Sequence, residues 1–168
     1  MPWASPRGLL IYDYWSRILL RLSKKADYAL MAVRHLALRT GPSSASAREI
    51  AEQYDIPIEL MAKVLQRLVR ARLLISTQGT RGGYTLSRPP NSISVADVIQ
   101  AIDGPFTVTA CSTDNNECEQ YSKCSIRDPL WQIRERIAAT LGTVSIAEMA
   151  AESDAAHVPV AHAAVIRR

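Results

Sequence analysis

The sequence predicts a mainly α-helical fold that carries one small β-hairpin. Apolar residues recur at spacings of three and four through residues 20–71, as in helices with one buried face. Residues 73–86 instead contain two short β-prone runs around a glycine-rich tip, which predicts a hairpin. The chain has 168 residues, 48% of them hydrophobic and 21% charged, which is typical of one ordered domain with appended segments.

Two helices separated by a three-residue turn are expected to follow a first helix. The expected ranges are 20–40, 46–54 and 58–71, and glycine or proline residues separate them. Serines are expected to cap the first two helices, and a glutamate three residues after the second serine gives the spacing of a capping box: Ser23, Ser46 and Glu49. Four residues of the third helix are expected to face the core: Leu60, Val64, Leu65 and Leu68.

Three further helices are expected after the hairpin. Its strands are predicted at 74–77 and 84–86, and the next helix covers 94–102, with Ser94 as its cap and Gly104 beyond its end. Proline suits the first position of a helix, so a long helix is expected to open at Asp128 and Pro129 and to stop at Gly142, before a last helix over 145–152.

Charge is unevenly distributed along the chain, although the net charge is only +4. Residues 20–88 contain 12 lysines and arginines against 5 acidic residues, whereas residues 89–152 contain 4 against 9. A basic N-terminal half indicates a polyanionic partner, joined to a part with another role. No signal peptide or membrane-spanning run is visible, so a cytoplasmic protein without a membrane partner is expected.

The order of helix, short turn, second helix and glycine-tipped hairpin predicts a winged helix-turn-helix that binds double-stranded DNA. An α-helix fits the major groove, and a hairpin tip reaches the neighbouring minor groove or backbone. The same elements also fit a small packed domain, or a winged helix that docks another protein. The basic charge of this part of the chain favours DNA.

Candidate DNA contacts come from three elements. Glu59, Lys63 and Arg67 lie off the apolar face of the third helix, where Glu59 suits a cytosine amino group and Lys63 suits guanine or phosphate. Three residues near the starts of the first two helices are placed for phosphate: Lys24, Ser46 and Arg48. The hairpin tip adds Gln78, Thr80 and Arg81, of which Arg81 carries the charge that a narrow minor groove attracts.

Three cysteines, Cys111, Cys118 and Cys124, lie within 14 residues. An odd number does not form a disulfide framework within one chain. Thiolates are ligands of iron–sulfur clusters and of zinc, but the C-x6-C-x5-C spacing is longer than in typical zinc sites. An iron–sulfur cluster is therefore favoured over a zinc site or a thiol redox sensor. No histidine lies nearby, so a fourth ligand would be a carboxylate, water or a residue of another subunit. No catalytic constellation is visible, and an enzyme is not expected.

At these motifs the sequence resembles the Rrf-two family of transcriptional regulators, over about residues 20–152. The resemblance is carried by LRLSKKADYAL (20–30), the helix pair of 47–68, LLISTQGTRGGYTLSRP (73–89), ISVADVIQAIDG (93–104) and the three cysteines. Within the family, the cysteine spacing is most similar to the regulators of SUF-type cluster assembly. The resemblance implies a homodimer joined along residues 128–141, a palindromic operator, and a cluster, 2Fe–2S favoured over 4Fe–4S, whose state alters DNA affinity.

The resemblance also implies particular ligands. By position, Cys111, Cys118 and Cys124 match the cluster ligands of the family. The IscR branch has a histidine three residues after the last cysteine, where this chain has Arg127. The NsrR branch uses an aspartate from the partner's first helix, and Asp27 matches that position, although it equally fits a plain helix-start charge. The IscR branch also has an arginine where Gln78 stands, so the minor-groove role would pass to Arg81 or be weakened.

The function expected from the sequence is a repressor, or dual regulator, that senses cluster or redox status and controls genes for iron–sulfur assembly or stress. The alternatives are a winged-helix regulator with a zinc or thiol sensor and a protein-docking module. The predicted organisation is an N-terminal extension (1–19), a winged helix-turn-helix (20–104), a cysteine segment (105–127), a dimerisation helix with a short terminal helix (128–152) and a disordered tail (153–168).

Overall fold

The structure, a computed structural model, describes residues 22–39, 44–79, 82–107 and 119–152. The predicted extension 1–19 and tail 153–168 lie outside these ranges. The described residues form six α-helices, an antiparallel pair of strands and two 3-10 turns. In chain order these are α1 Lys24–Ala37, α2 Ala47–Gln53, α3 Ile58–Arg70, β1 Leu74–Thr77, β2 Gly83–Leu86, the turn Pro90–Ser92, α4 Val95–Asp103, the turn Tyr121–Lys123, α5 Arg127–Thr143 and α6 Ile146–Glu152.

Side-chain caps fix where four of the helices begin. The Ser23 and Ser46 hydroxyls accept hydrogen bonds from backbone N–H groups of the first turns of α1 and α2, as predicted. The capping box expected at Ser46 is only half formed, because the Glu49 carboxylate pairs with Arg39. Complete reciprocal boxes occur at the starts of α4 and α6 instead: Ser94 with Asp97, and Ser145 with Glu148.

Helix α1 lies at the centre of the core and packs against α3, α4 and α6. Its buried face consists mostly of small side chains: Ala26, Ala29, Ala32, Val33 and Leu36. Helix α3 buries a stripe at positions i, i+3, i+4 and i+7: Met61, Val64, Leu65 and Leu68. The sequence predicts Leu60 in this stripe in place of Met61. Leu60 lies at the edge of the stripe and is half-buried, whereas Met61 is fully buried.

The two strands form the predicted wing, with Leu74 opposite Leu86 and Thr77 opposite Gly83. A third segment joins it, because Ala45 and Tyr84 exchange two backbone hydrogen bonds of 3.1 and 2.8 Å. A Cβ atom at Gly83 would lie 2.7 Å from the Ala45 carbonyl oxygen, so only glycine permits this approach. The wing is therefore fixed to the segment that leads into α2.

Helix α5 differs from the prediction at both ends. It begins at Arg127, one residue before Asp128, and continues through Gly142 to Thr143. Gly142 therefore does not end the helix; the chain turns at Val144, where Ser145 caps α6. Helix α6 then returns to the core, since Ile146 is fully buried and its N–H donates to the Ile93 carbonyl at 2.8 Å. None of the helices in the described ranges is long and apolar enough to cross a membrane.

Replacing Leu65 by alanine should lower the free energy of unfolding by about 2–5 kcal/mol, because it leaves a cavity between α3 and its neighbours. Urea denaturation would measure this change. Gln66→Ala is the matched control, since Gln66 is the next residue of the same helix and is exposed. Equal denaturation midpoints for the Leu65 and Gln66 variants would contradict the packing described here.

Candidate nucleic-acid interface and cysteine segment

A tight turn sets the angle between α2 and α3. Asp55 adopts a left-handed backbone conformation, φ +51°, which aspartate tolerates better than most residues. The next residue, Ile56, is buried, and its N–H donates to the Ala51 carbonyl at 2.9 Å. The turn is thus closed by one backbone hydrogen bond and one buried side chain. It presents the start of α3 beside α2, as in a helix-turn-helix.

A polar cluster holds α2 against α1. The His35 ring lies edge-on to Tyr54 with centroids 5.7 Å apart, and its Nδ1 lies 3.4 Å from the Tyr54 hydroxyl. On the other side of the ring, Nε2 faces Arg39 at 3.5 Å and Glu49 at 4.0 Å. Burial, and then the Arg39 charge, lower the pKa of His35, while Glu49 opposes this shift. The lowered pKa favours the neutral ring at neutral pH.

The outer face of α3 carries the predicted reading residues. Glu59 and Lys63 are exposed on the side opposite the buried stripe. Arg67 is also exposed, but its Nη1 donates to the Ile102 carbonyl oxygen at 2.9 Å. Ile58, which was not among the candidates, begins the helix and is 43% exposed. The start of α3 therefore offers carboxylate, ammonium and apolar groups to a partner.

The remaining candidates lie on three other elements. Lys24 is exposed in the first turn of α1, and Arg48 is exposed in the first turn of α2. The hydroxyl of exposed Ser46 caps α2, and Gln78 is exposed at the end of β1. Thr80 and Arg81 lie outside the described residues.

A basic groove, not found by sequence reading, runs between α1 and α3. It has a volume of about 190 Å³, and four of its seven lining residues are cations: Lys25, Lys63, Arg67 and Arg70. The spacing of 63, 67 and 70 on one helix predicts a shared face. Lys25 comes from a distant part of the chain, so only the fold reveals that it joins them.

Of the three cysteines, the structure describes Cys124, which is half-buried and has a free thiol directly after the 3-10 turn. Cys111 and Cys118 lie outside the described residues. Asp27 is half-buried in the first turn of α1. Within the part of the chain that the structure describes, no three metal-ligating side chains come together. The predicted ligand set therefore remains a prediction.

The beginning of the cysteine segment is attached to α5. The Arg134 Nε donates to the Phe106 carbonyl oxygen at 2.7 Å, and the guanidinium lies over the Trp131 ring, 4.6 Å from its centroid. At the other end of the segment, the Arg127 Nε donates to the Asp128 carboxylate at 2.8 Å. Arg127 stands where the IscR branch has a histidine, and its positive charge therefore lies beside a carboxylate.

An exposed second helix after a tight turn, with a glycine-dependent wing beside it, defines a winged helix-turn-helix DNA-binding protein. Residues 22–152 match the Rrf2 family, described as an iron-dependent transcriptional regulator, and the chain belongs to this family. The protein is thus a transcriptional regulator and not an enzyme.

Individual relatives agree with this assignment. The chain is 31% identical to the HTH-type transcriptional regulator IscR of Xenorhabdus nematophila over 131 residues, which are 77% of this chain and 79% of that protein. The fold is similar to that of T. potens IscR, with a TM-score of 0.64, 25% identity and coverage of 83% and 92% of the two chains. It is also similar to CymR, the global cysteine regulator of B. subtilis, with a TM-score of 0.63, 25% identity and coverage of 79% and 98%.

The polar cluster predicts a pH-dependent stability. The pKa of His35 is lower in the folded protein than its ordinary value of 6.5, so the unfolded chain takes up the proton first as the pH falls. The free energy of unfolding should therefore be fully retained above pH 6.5 and decrease below it. Urea denaturation at about pH 7.5 and about pH 5.5 should show a smaller loss for His35→Gln than for the unaltered protein.

The two other histidines, His157 and His162, are present in both proteins, so the comparison isolates His35. An identical loss of stability in the variant would mean that the ring near Arg39, Glu49 and Tyr54 has an ordinary pKa.

Proposed function

We propose that this regulator binds a palindromic operator as a homodimer and senses iron–sulfur cluster status through its three cysteines. The observation that carries the proposal is the position of the cysteine segment in the chain. It leaves the end of α4 within the DNA-reading unit and enters α5, a helix without a buried residue. A group bound by the segment would therefore act on both the reader and the helix that a second subunit would cover.

The DNA-reading face would use the start of α3 in the major groove. Glu59 and Lys63 are exposed there. Glu59 would contact a base edge, while Lys63, together with Lys24, Ser46 and Arg48 at helix starts, would contact phosphates. Gln78, Thr80 and Arg81 of the wing would reach the adjacent groove.

The dimer would be built along α5. This helix of 17 residues has no buried side chain, and Ile126, Trp131 and Ile133 expose 60%, 49% and 45% of their surface. A second copy that packs on the face shared by Ile126 and Ile133, which lie seven positions apart, would remove these two groups from water. Half-sites about one helical turn apart, roughly 34 Å, would then suit the two reading helices.

The cluster would be held by thiolates from Cys111, Cys118 and Cys124. The free, half-buried Cys124 thiol at the entrance to α5 suits this role. Arg127 does not ligate iron, because its guanidinium remains protonated and lies beside Asp128. The carboxylate of the partner subunit's Asp27 would supply the remaining ligand. Bound iron and sulfide would hold the segment in one conformation, and 2Fe–2S is favoured over 4Fe–4S.

A sensor without a cluster is the second candidate. It is favoured by the similarity to CymR, whose described role is regulation of cysteine and which is also known in an oxidised form in Staphylococcus aureus. In that case the same three thiols would respond to zinc or to oxidation.

Protein purified without oxygen should be brown and contain iron and sulfide, and Cys118→Ala should remove most of both. Visible absorption together with iron and sulfide analysis would measure this. Ser125→Ala is the matched control, since Ser125 lies in the same segment and is not a proposed ligand. Colourless protein without iron would favour the zinc or thiol sensor.

Replacing Lys63 by alanine should weaken operator binding and reduce the slope of log Kd against log salt by about one, because one phosphate contact is lost. Fluorescence anisotropy over a series of salt concentrations would measure both quantities. Gln66→Ala should leave the slope unchanged, since it changes a neutral side chain of the same helix. An unaltered slope in the Lys63 variant would remove this residue from the DNA interface.

A further inference from the structure

Five residues, Ile102–Phe106, form the end of α4 and the start of the cysteine segment. They accept hydrogen bonds from α3, from α5 and from the cap of α1. We refer to them as the junction segment. Its position in the chain is notable, because Cys111 follows Phe106 by only five residues. The contacts on the junction segment therefore lie between the proposed sensor and the DNA-reading unit.

The contact from the reading helix is made by Arg67. Its Nη1 donates to the Ile102 carbonyl oxygen at 2.9 Å. Ile102 lies in the last turn of α4, where carbonyl groups have no partner within the helix. A cation at this end of a helix also interacts favourably with the helix dipole. Arg67 thus gives this carbonyl group a hydrogen-bond partner from outside α4 and links α3 to α4.

Two further contacts hold the junction segment from its other sides. The Asp103 carboxylate accepts hydrogen bonds from the Ser23 hydroxyl at 2.6 Å and from its backbone N–H at 3.3 Å, at the cap of α1. The Phe106 carbonyl oxygen accepts from Arg134 of α5 at 2.7 Å. A displacement of this segment would therefore be transmitted to α1, α3 and α5 together.

The position of Arg67 on α3 does not suit base reading. It lies nine residues after Ile58, about 14 Å along the helix axis from the end that enters a major groove. Its guanidinium is engaged by a protein carbonyl, whereas Lys63 lies one turn closer to the reading end.

We infer that Arg67 is a positioning residue. It sets the orientation of the reading helix α3 by its hydrogen bond to the Ile102 carbonyl oxygen. Through the same hydrogen bond, a change in the cysteine segment on cluster binding alters the orientation of α3. The positioning role rests only on the geometry and on DNA binding by the family. The coupling role also rests on the proposed sensing function.

The salt dependence of operator binding separates positioning from phosphate contact. In the full-length protein, Arg67→Gln should raise the operator Kd roughly tenfold, since a hydrogen bond from a charged donor is lost. Its salt slope should stay close to that of the unaltered protein. Lys63→Gln provides the reference for a lost phosphate contact, with a slope lower by about one. Arg70→Gln controls for charge, because it removes one cation from the same groove.

A slope lowered by about one in the Arg67→Gln protein, or an equal loss of affinity in Arg70→Gln, would overturn the positioning role. Circular dichroism melting would confirm that the variants are folded. If Arg67→Gln does not fold, Arg67→Lys decides the question, because it keeps the charge and changes the donor geometry. Positioning predicts weaker binding for Arg67→Lys with an unaltered slope, whereas a phosphate contact predicts near-normal binding.

The coupling role has its own measurement. Operator affinity would be measured for four anaerobically purified proteins: the unaltered protein, a variant with all three cysteines replaced by alanine, and each of these two with Arg67→Gln added. We expect the ratio of affinities between the proteins with and without cysteines to fall towards one when Arg67→Gln is present. An unaltered ratio would overturn the coupling role. A ratio of one with Arg67 intact would instead refute the sensing function, while the salt slopes would still decide the positioning role.

Discussion

The close approach of α1 to its neighbours is the constraint on which the rest of the structure depends. Ala26, Ala29 and Ala32 expose no surface at all, and their small side chains allow α3, α4 and α6 to pack around one central helix. The apolar stripe of α3 is buried by this arrangement, which leaves the opposite face of the helix exposed. The exposed, DNA-reading face of α3 is thus a consequence of the close packing of α3, α4 and α6 around α1.

The end of α4 connects this core to the cysteine segment. Its last carbonyl groups and the residues after them are held by side chains from other helices, with Arg67 and Arg134 on two sides. Gly104, with φ +83°, ends the helix between these two contacts. Polar groups that a helix terminus leaves without partners are therefore used here to join separate elements.

Much of the fold could be predicted from the sequence, because periodic apolar residues and serine caps act locally. The helix-turn-helix, the wing and the caps at Ser23, Ser46 and Ser94 are confirmed. The prediction that Gly142 ends the long helix was wrong. Helix α5 continues for one more residue, and Ser145 then caps α6. Glycine lowers helix propensity, but it does not by itself end a helix.

The candidate site was less predictable, because its key contacts join residues that are far apart in the chain. Lys25 shares a groove with Lys63, and Arg67 bonds a carbonyl 35 positions later. Neither pairing leaves a periodic signal in the sequence. The helical period showed that Arg67 lies off the buried stripe of α3, but it did not indicate that a backbone oxygen would engage the guanidinium.

The return of α6 to the core means that α5 is anchored to the domain at two points. Directly after its C-terminal end, Val144 accepts a hydrogen bond from the N–H of Val95, where α4 begins, and at its middle Arg134 holds the chain just after α4 ends. Helix α5 is therefore attached beside both termini of α4, to Val95 at its start and to Phe106 just beyond its end. A displacement of α5 would thus act on the two termini of α4 together.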